Sequence, residues 1–235
     1  MIPKKIYQTW NTQQLPEKIE KLHSKMRKKN STFEHIIYTD EQMNDYIGSN
    51  ADKEIKDAYW KMNHIVAKAD IWRYTILYNN GGIYFDIDSE IVGSLDNLIN
   101  DEDDAIISPE INENLFIQWG LIFGKHHIIL EKTLTNILDN VKNDINKFDH
   151  HSLTVKNYAK AIFDLAQENN YELRWKPPKQ QEDRSHIIDN ASFRIVGNDF
   201  NGTFLFKHKY NHLLRDRPRG TEVDTHWSRF KGPIF

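Results

Sequence analysis

The segment Gly81-Gly82-Ile83-Tyr84-Phe85-Asp86-Ile87-Asp88-Ser89-Glu90 constrains this chain most, because an apolar run ends there in two closely spaced carboxylates. Read as a strand over 83–88, it turns Ile83, Phe85 and Ile87 to one face and Tyr84, Asp86 and Asp88 to the other. Same-face residues of a strand lie about 6.5–7 Å apart, so the two carboxylates can converge on one divalent cation, or on a cation and its ligand. Left without such a partner, two carboxylates at the end of a core strand would lose hydration and repel each other.

The residues before this strand define its connection. From Asn63 to Tyr78, Ile65, Ala69, Trp72 and Ile76 recur at helical spacing, which predicts a helix packing one apolar stripe against a sheet. Asp70, Arg73 and Leu77 fall on a neighbouring stripe, where Asp70 and Arg73 can form an i,i+3 surface ion pair worth a few tenths of a kcal/mol. Asn79-Asn80-Gly81-Gly82 supplies residues that accept positive φ, as a helix end turning into a strand requires.

The run Ala69-Asp70-Ile71-Trp72-Arg73-Tyr74, continued by Leu77-Tyr78-Asn79-Asn80-Gly81-Gly82-Ile83-Tyr84-Phe85-Asp86-Ile87-Asp88, closely resembles the DXD segment of glycosyltransferase family 32, the Och1-like and capsular-polysaccharide sugar transferases. The glucosylating clostridial toxins look like more distant relatives. Ile2-Pro3-Lys4-Lys5-Ile6-Tyr7-Gln8-Thr9-Trp10 resembles the family's first strand and Tyr38-Thr39-Asp40 its second, so the likeness is strong over residues 1–100. Beyond them it weakens. Gln118-Trp119-Gly120-Leu121-Ile122-Phe123-Gly124-Lys125-His126-His127 stands where the family shows an Asn-led segment and a Gly-His-Pro turn, and His150-His151-Ser152-Leu153-Thr154 where Thr-Gly-Pro is common. Thr225-His226-Trp227-Ser228 keeps part of a terminal His-x-Trp segment.

The resemblance implies a metal-dependent transfer of a sugar from a nucleoside diphosphate sugar to a glycan or other hydroxyl acceptor, with retention of configuration. A leaving diphosphate needs its growing charge neutralised, and Mn²⁺ or Mg²⁺ held by carboxylates does this as a Lewis acid. By resemblance, Asp88 is the primary metal ligand, Asp86 meets the ribose and metal-bound water, and His226 is the third ligand. Asp70 and Arg73 reach the donor sugar's hydroxyls and phosphate side, and Trp10 stacks on the base, which favours a UDP-sugar over GDP-mannose. The donor-binding set is Gln8, Trp10, Tyr38, Asp70, Arg73, Tyr84, Asp86 and Trp227, and Gln118 or Glu110 lies beneath the sugar. Other roles stand beside these: Trp10 as a core residue, Asp40 as the N-cap of the helix after Thr39, and His126 and His127 as caps of the helix that follows them.

Two other readings compete. Haloacid-dehalogenase-like phosphatases also place Asp-x-Asp after an apolar strand, but Glu90 stands where that pattern wants Thr or Val. A catalytically inactive sugar-nucleotide-binding protein is the other, against which the intact Asp70, Arg73, Asp86 and Asp88 speak.

Composition narrows the partners. At 235 residues the chain suits one α/β domain with a sizeable core. A formal net charge of -3 argues against broad binding to nucleic acid, and the run Lys25-Met26-Arg27-Lys28-Lys29 reads as a solvated helix end. Arg215-Asp216-Arg217-Pro218-Arg219 is a second basic cluster, able to meet phosphate or a membrane surface. Cysteine is absent, which excludes a disulfide framework or thiolate metal site. Neither a signal-peptide pattern nor an apolar run near the roughly 18–20 residues of a membrane span occurs. The expectation is a soluble, cytoplasmic chain with scope for peripheral membrane association, or a luminal one if it is part of a longer protein.

The pattern predicts strands at 4–10, 34–39, 83–88, 104–108 and near 171–175, and helices at 17–29, 40–47, 51–61, 63–78, 127–141 and 153–168. A mixed region at 115–124 and aromatic-rich strands around 192–206 complete it, with the Pro177 to Arg184 stretch as a polar loop. The expected fold is a single Rossmann-like α/β domain of GT-A type, with a mostly parallel mixed sheet and helices on both faces. Residues 1–100 would form the nucleotide-sugar half, and 101–235 the acceptor side with a C-terminal lid from Arg219 to Phe235.

Overall fold

A computed structural model describes residues 1–144, 151–177, 184–188, 191–197 and 205–207. In chain order the elements are β1 (Lys5–Thr9), α1 (Glu17–Lys29), β2 (Glu34–Tyr38), α2 (Asp40–Asn50), α3 (Lys53–Lys61), α4 (Ile65–Asn80), β3 (Gly82–Phe85) and β4 (Ser89–Ile91). There follow α5 (Leu95–Leu98), β5 (Ala105–Ile107), β6 (Gly120–Phe123), α6 (Ile128–Asp144), a π-helical turn (His151–Val155), α7 (Lys156–Glu168), β7 (Arg184–Ile188), β8 (Ala191–Ile195) and β9 (Leu205–Lys207).

Seven strands form one mixed sheet in the order β2-β1-β3-β6-β5-β8-β7, while β4 and β9 pair separately. The β2-β1-β3 group is parallel, β6 runs antiparallel between β3 and β5, and β8 is parallel to β5. Helices cover both faces. Met26 of α1 packs with Ile6, Ile83 and Phe85 on one, whereas α4, α6 and α7 pack with Tyr7, Tyr84 and Phe123 on the other.

α4 departs from the expected single stripe. Every residue from Ala69 to Leu77 is buried, polar Asp70, Arg73 and Thr75 included, because α4 lies between the sheet and the layer of α2, α3 and α6. A helix enclosed all round is apolar all round except where function or pairing supplies polar groups. At its end Gly81 and Gly82 take φ of 64° and 113°. The chain then enters β3 beside β1.

β3 stops at Phe85, three residues short of the strand expected over 83–88. The Asp86 amide donates to the Trp119 carbonyl at 2.9 Å, and the Ser89 amide to the Asp86 carbonyl at 2.9 Å. Asp86-Ile87-Asp88-Ser89 is therefore a turn closed on itself, and the two carboxylates do not alternate along a strand.

Three further corrections concern local chemistry. Thr39, not Asp40, caps α2: its hydroxyl accepts from the Gln42 amide while the Gln42 side chain accepts from the Thr39 amide. Residues 171–175 are not a strand, and Arg184, the last residue of the expected loop, opens β7, which pairs antiparallel with β8. Of the two histidines before α6, His127 caps: its Nδ1 accepts from the Ile129 amide at 3.2 Å. His126 instead adopts φ 57° and packs on Tyr78.

Candidate functional site

The carboxyl ends of β1, β2, β3 and β5 share one edge of the sheet, with the amino end of antiparallel β6 beside them. Trp10, Tyr38, Asp86 and Glu110 follow or end those strands, and Gln118 precedes β6, so topology alone gathers them there. This is the edge at which open α/β sheets bind ligands. Trp10 is half-buried and its amide donates to the Tyr38 carbonyl at 3.0 Å. The Tyr38 ring rests on Trp72, centroids 5.0 Å apart.

At the centre lies an interlocked buried network. Arg73 Nη2 meets Asp70 Oδ1 at 2.7 Å, their side chains 6% and 1% exposed, so this is not the surface pair that spacing suggested. Arg73 Nη1 donates to the Gln118 carbonyl at 3.0 Å and lies 3.4 Å from Asp86 Oδ1. The guanidinium stacks 4.4 Å from the centroid of Tyr84, whose hydroxyl donates to Asp86 Oδ1 at 2.8 Å. Tyr74 donates to Gln118 Oε1 at 2.8 Å. Thr154 Oγ1 donates to Asp70 Oδ2 at 2.6 Å.

Burial alone would lower the Arg73 pKa, but Asp70, Tyr84 and Asp86 around it raise it, so the guanidinium is held charged. Burial first, and then neighbouring carboxylates, raises the Tyr84 and Tyr74 phenols well above their ordinary value. Both therefore act as neutral donors. Removing one partner of a buried pair such as Asp70–Arg73 costs about 3–5 kcal/mol, because the other charge is left uncompensated.

Asp86 and Asp88 are two hard oxygen donors on one turn, and Asp88 is buried. That donor set fits a divalent cation of the Mn²⁺ or Mg²⁺ kind that completes its shell with phosphate oxygens and water. No cluster of three or more His, Cys, Asp or Glu occurs among the described residues. His226, Trp227 and the expected lid lie outside them.

The structure brings Asp70, Arg73, Tyr84, Asp86 and Gln118 into direct contact, with Trp10 and Tyr38 along the same edge. It does not bring Gln8 to that network. Gln8 projects toward the α1 face, opposite its neighbour Tyr7, and is buried with its Nε2 unpartnered among the described residues. Glu110 is half-buried and accepts from Trp119 Nε1 at 3.3 Å. Sequence reasoning missed Thr154, Tyr74 and the backbone carbonyls of Gln118 and Trp119. Their traces were indirect: Tyr74 closes the family-like run from Ala69, and Thr154 is a hydroxyl residue in the segment that replaces Thr-Gly-Pro.

Residues 16–105 match the family described as glycosyltransferase sugar-binding region containing DXD motif. Over those residues the chain is similar to a DXD sugar-transferase region. Curated relatives match a stretch of similar length. Inositol phosphoceramide mannosyltransferase 3 of Schizosaccharomyces pombe is 34% identical over 99 residues, which are 42% of this chain and 28% of the relative. Uncharacterized glycosyltransferase L373 of Acanthamoeba polyphaga mimivirus is 32% identical over 90 residues, 37% of this chain and 36% of the relative. The matches thus span about a third or less of those proteins' lengths. Among solved structures, PaToxG Glycosyltransferase superposes with a TM-score of 0.59 at 23% identity, covering 71% of this chain and 70% of that one. That likeness shows the fold, the GT-A type expected around a DXD region. No helix among the described residues is long and apolar enough to cross a membrane.

Proposed function

We propose that the chain is a glycosyltransferase that moves a sugar from a nucleoside diphosphate sugar to a glycan or other hydroxyl acceptor, with Mn²⁺ or Mg²⁺ as cofactor. The observation that carries this reading is the Asp86–Ser89 turn locked through Tyr84 and Arg73 to Asp70 at the ligand-binding edge of the sheet. The anomeric C–O bond to the diphosphate breaks, a bond to the acceptor oxygen forms, and the acceptor proton leaves. A divalent cation held by Asp88, with Asp86 beside it, supplies Lewis-acid neutralisation of the departing diphosphate. Arg73 presents a fixed positive charge to the donor, oriented by Asp70 and the Gln118 carbonyl, and its preset geometry needs no reorganisation during transfer.

Trp10 and Tyr38 offer aromatic faces for the base, with a UDP-sugar preferred and GDP-mannose the alternative. Gln118, held by Tyr74, lies close enough to Arg73 to line the sugar subsite. By resemblance the transfer retains configuration, residues 1–100 serve the donor within a single unit, and residues 101–235 serve the acceptor.

The test is Asp88→Asn, which preserves volume outside the Arg73 network. The variant should keep its melting temperature within a few degrees yet lose Mn²⁺-dependent stabilisation by UDP-sugars. Its kcat/KM should fall by at least about 100-fold, on the scale of several kcal/mol of charge stabilisation. Undiminished turnover in Asp88→Asn would overturn the reading. GDP-mannose run beside UDP-sugars decides the base.

A further inference from the structure

The buried face of α1 contains one residue that packing does not ask for. Ile19, Leu22 and Met26 are apolar, and His23 between them is only 1% exposed. A leucine there would need no partner, whereas a buried imidazole must recover the water it loses. Burial lowers the His23 pKa, which keeps the ring neutral with a single N–H. His23 Nε2 lies 3.1 Å from the Ile87 carbonyl oxygen. A carbonyl only accepts, so Nε2 donates.

Ile87 is the residue between the two carboxylates of the DXD turn. Its carbonyl and the Asp88 amide belong to one planar peptide unit, so fixing that oxygen fixes the direction in which the chain reaches the Asp88 Cα. The rest of the turn is anchored separately. Trp119 holds the Asp86 amide, and the Asp86 carbonyl takes the Ser89 amide. The 87–88 peptide is held from the α1 side, by His23.

We infer that His23 is a positioning residue, whose hydrogen bond to the Ile87 carbonyl sets the orientation of Asp88 within the DXD turn. It touches neither donor nor cation and acts through the backbone alone. The consequence for cation affinity rests on the reading of Asp86 and Asp88 as a cation site, whereas the ordering of the turn does not.

The test uses the full chain and begins without metal. His23→Leu fills the space but removes the donor, His23→Gln keeps an amide donor at similar reach, and His23→Met serves if the leucine variant does not fold. Amide hydrogen exchange at Ser89 should speed up about 10-fold in His23→Leu relative to the β1 amide of Tyr7, the effect of orphaning one buried acceptor. His23→Gln should restore most of the protection. Titration with Mn²⁺ alone, followed by electron paramagnetic resonance, should show affinity reduced by about 10-fold in His23→Leu and regained in His23→Gln. Equal acceleration at Ser89 and Tyr7 would make His23 a general packing residue and overturn the inference. So would unchanged exchange at Ser89. Asp88→Asn is the control for the underlying site. If Asp88→Asn binds Mn²⁺ normally, the cation reading fails while the exchange result still decides the role of His23. If only Asp88→Asn weakens Mn²⁺, the cation reading stands and the link from His23 to it is lost.

Discussion

Thr154 and Arg73 divide the Asp70 carboxylate between them, one oxygen each, and neither contact reaches solvent. The π-helical turn at His151–Val155 precedes α7, and its extra residue per turn is a common device at functional sites. Thr154→Val removes the hydroxyl at nearly constant volume and leaves Asp70 Oδ2 buried without that donor. Urea unfolding should show a loss of about 1–3 kcal/mol, the scale of one hydrogen bond to a buried charged acceptor. Because Asp70 orients Arg73, kcat should fall as well, while Thr154→Ser should restore both.

At the scale of elements, the α4–β3 junction controls where the acidic turn begins. A Cβ on Gly82 would lie 2.8 Å from the Lys5 carbonyl oxygen of β1, and one on Gly81 2.7 Å from the Lys125 amide nitrogen. Both glycines also have positive φ, which side chains rarely adopt. Gly82→Ala should therefore force β3 away from β1 and destabilise the fold by about 1–3 kcal/mol, measured as a lower urea midpoint at constant m. An equally stable variant would show that the β1–β3 register has slack. The turn follows directly on the end of the β3–β6 pairing: the Asp86 amide meets the Trp119 carbonyl and the Asp86 carbonyl takes the Ser89 amide. β6 begins at Gly120, opposite Phe85, and Asp86 lies past that last pair.

Across the whole molecule, His127 ties the start of α6 to β8 by donating from Nε2 to the Ser192 carbonyl at 3.2 Å, while its Nδ1 caps the helix. Burial lowers its pKa to about 4. The unfolded chain takes up this proton near pH 6.5 and the folded chain only near 4, so the unfolded state binds more protons between those values. Stability from this group is thus fully present above about pH 6.5 and is lost as pH falls toward 4, by up to about 3 kcal/mol. His127→Asn keeps an N-cap acceptor without the titration. Its unfolding free energy should fall less steeply than the parent's between pH 6.5 and 4, and equal slopes would assign acid sensitivity to other groups.

Periodicity and backbone chemistry were legible in the residues alone. The apolar spacing of 63–78 announced a helix, Asn79-Asn80-Gly81-Gly82 its end, and the alternating strands and helices a sheet covered on both faces. The acidic pair and the residues around it marked the DXD region, since motifs of this kind are local in sequence. What the chain could not show locally was which polar groups meet. Thr154 reaches Asp70 across 84 residues, Arg73 reaches the Gln118 carbonyl across 45, and His23 reaches Ile87 across 64. No period encodes such pairs, because they depend on which strands become neighbours. The same holds for the end of β3. Its pattern of alternation runs on through Asp88, but the β3–β6 pairing ends at Phe85 opposite Gly120, and once the Asp86 amide has met the Trp119 carbonyl the chain turns. Local residues thus determined the elements and the motif, while the tertiary order of the strands decided that the motif is a turn and which distant side chains hold it.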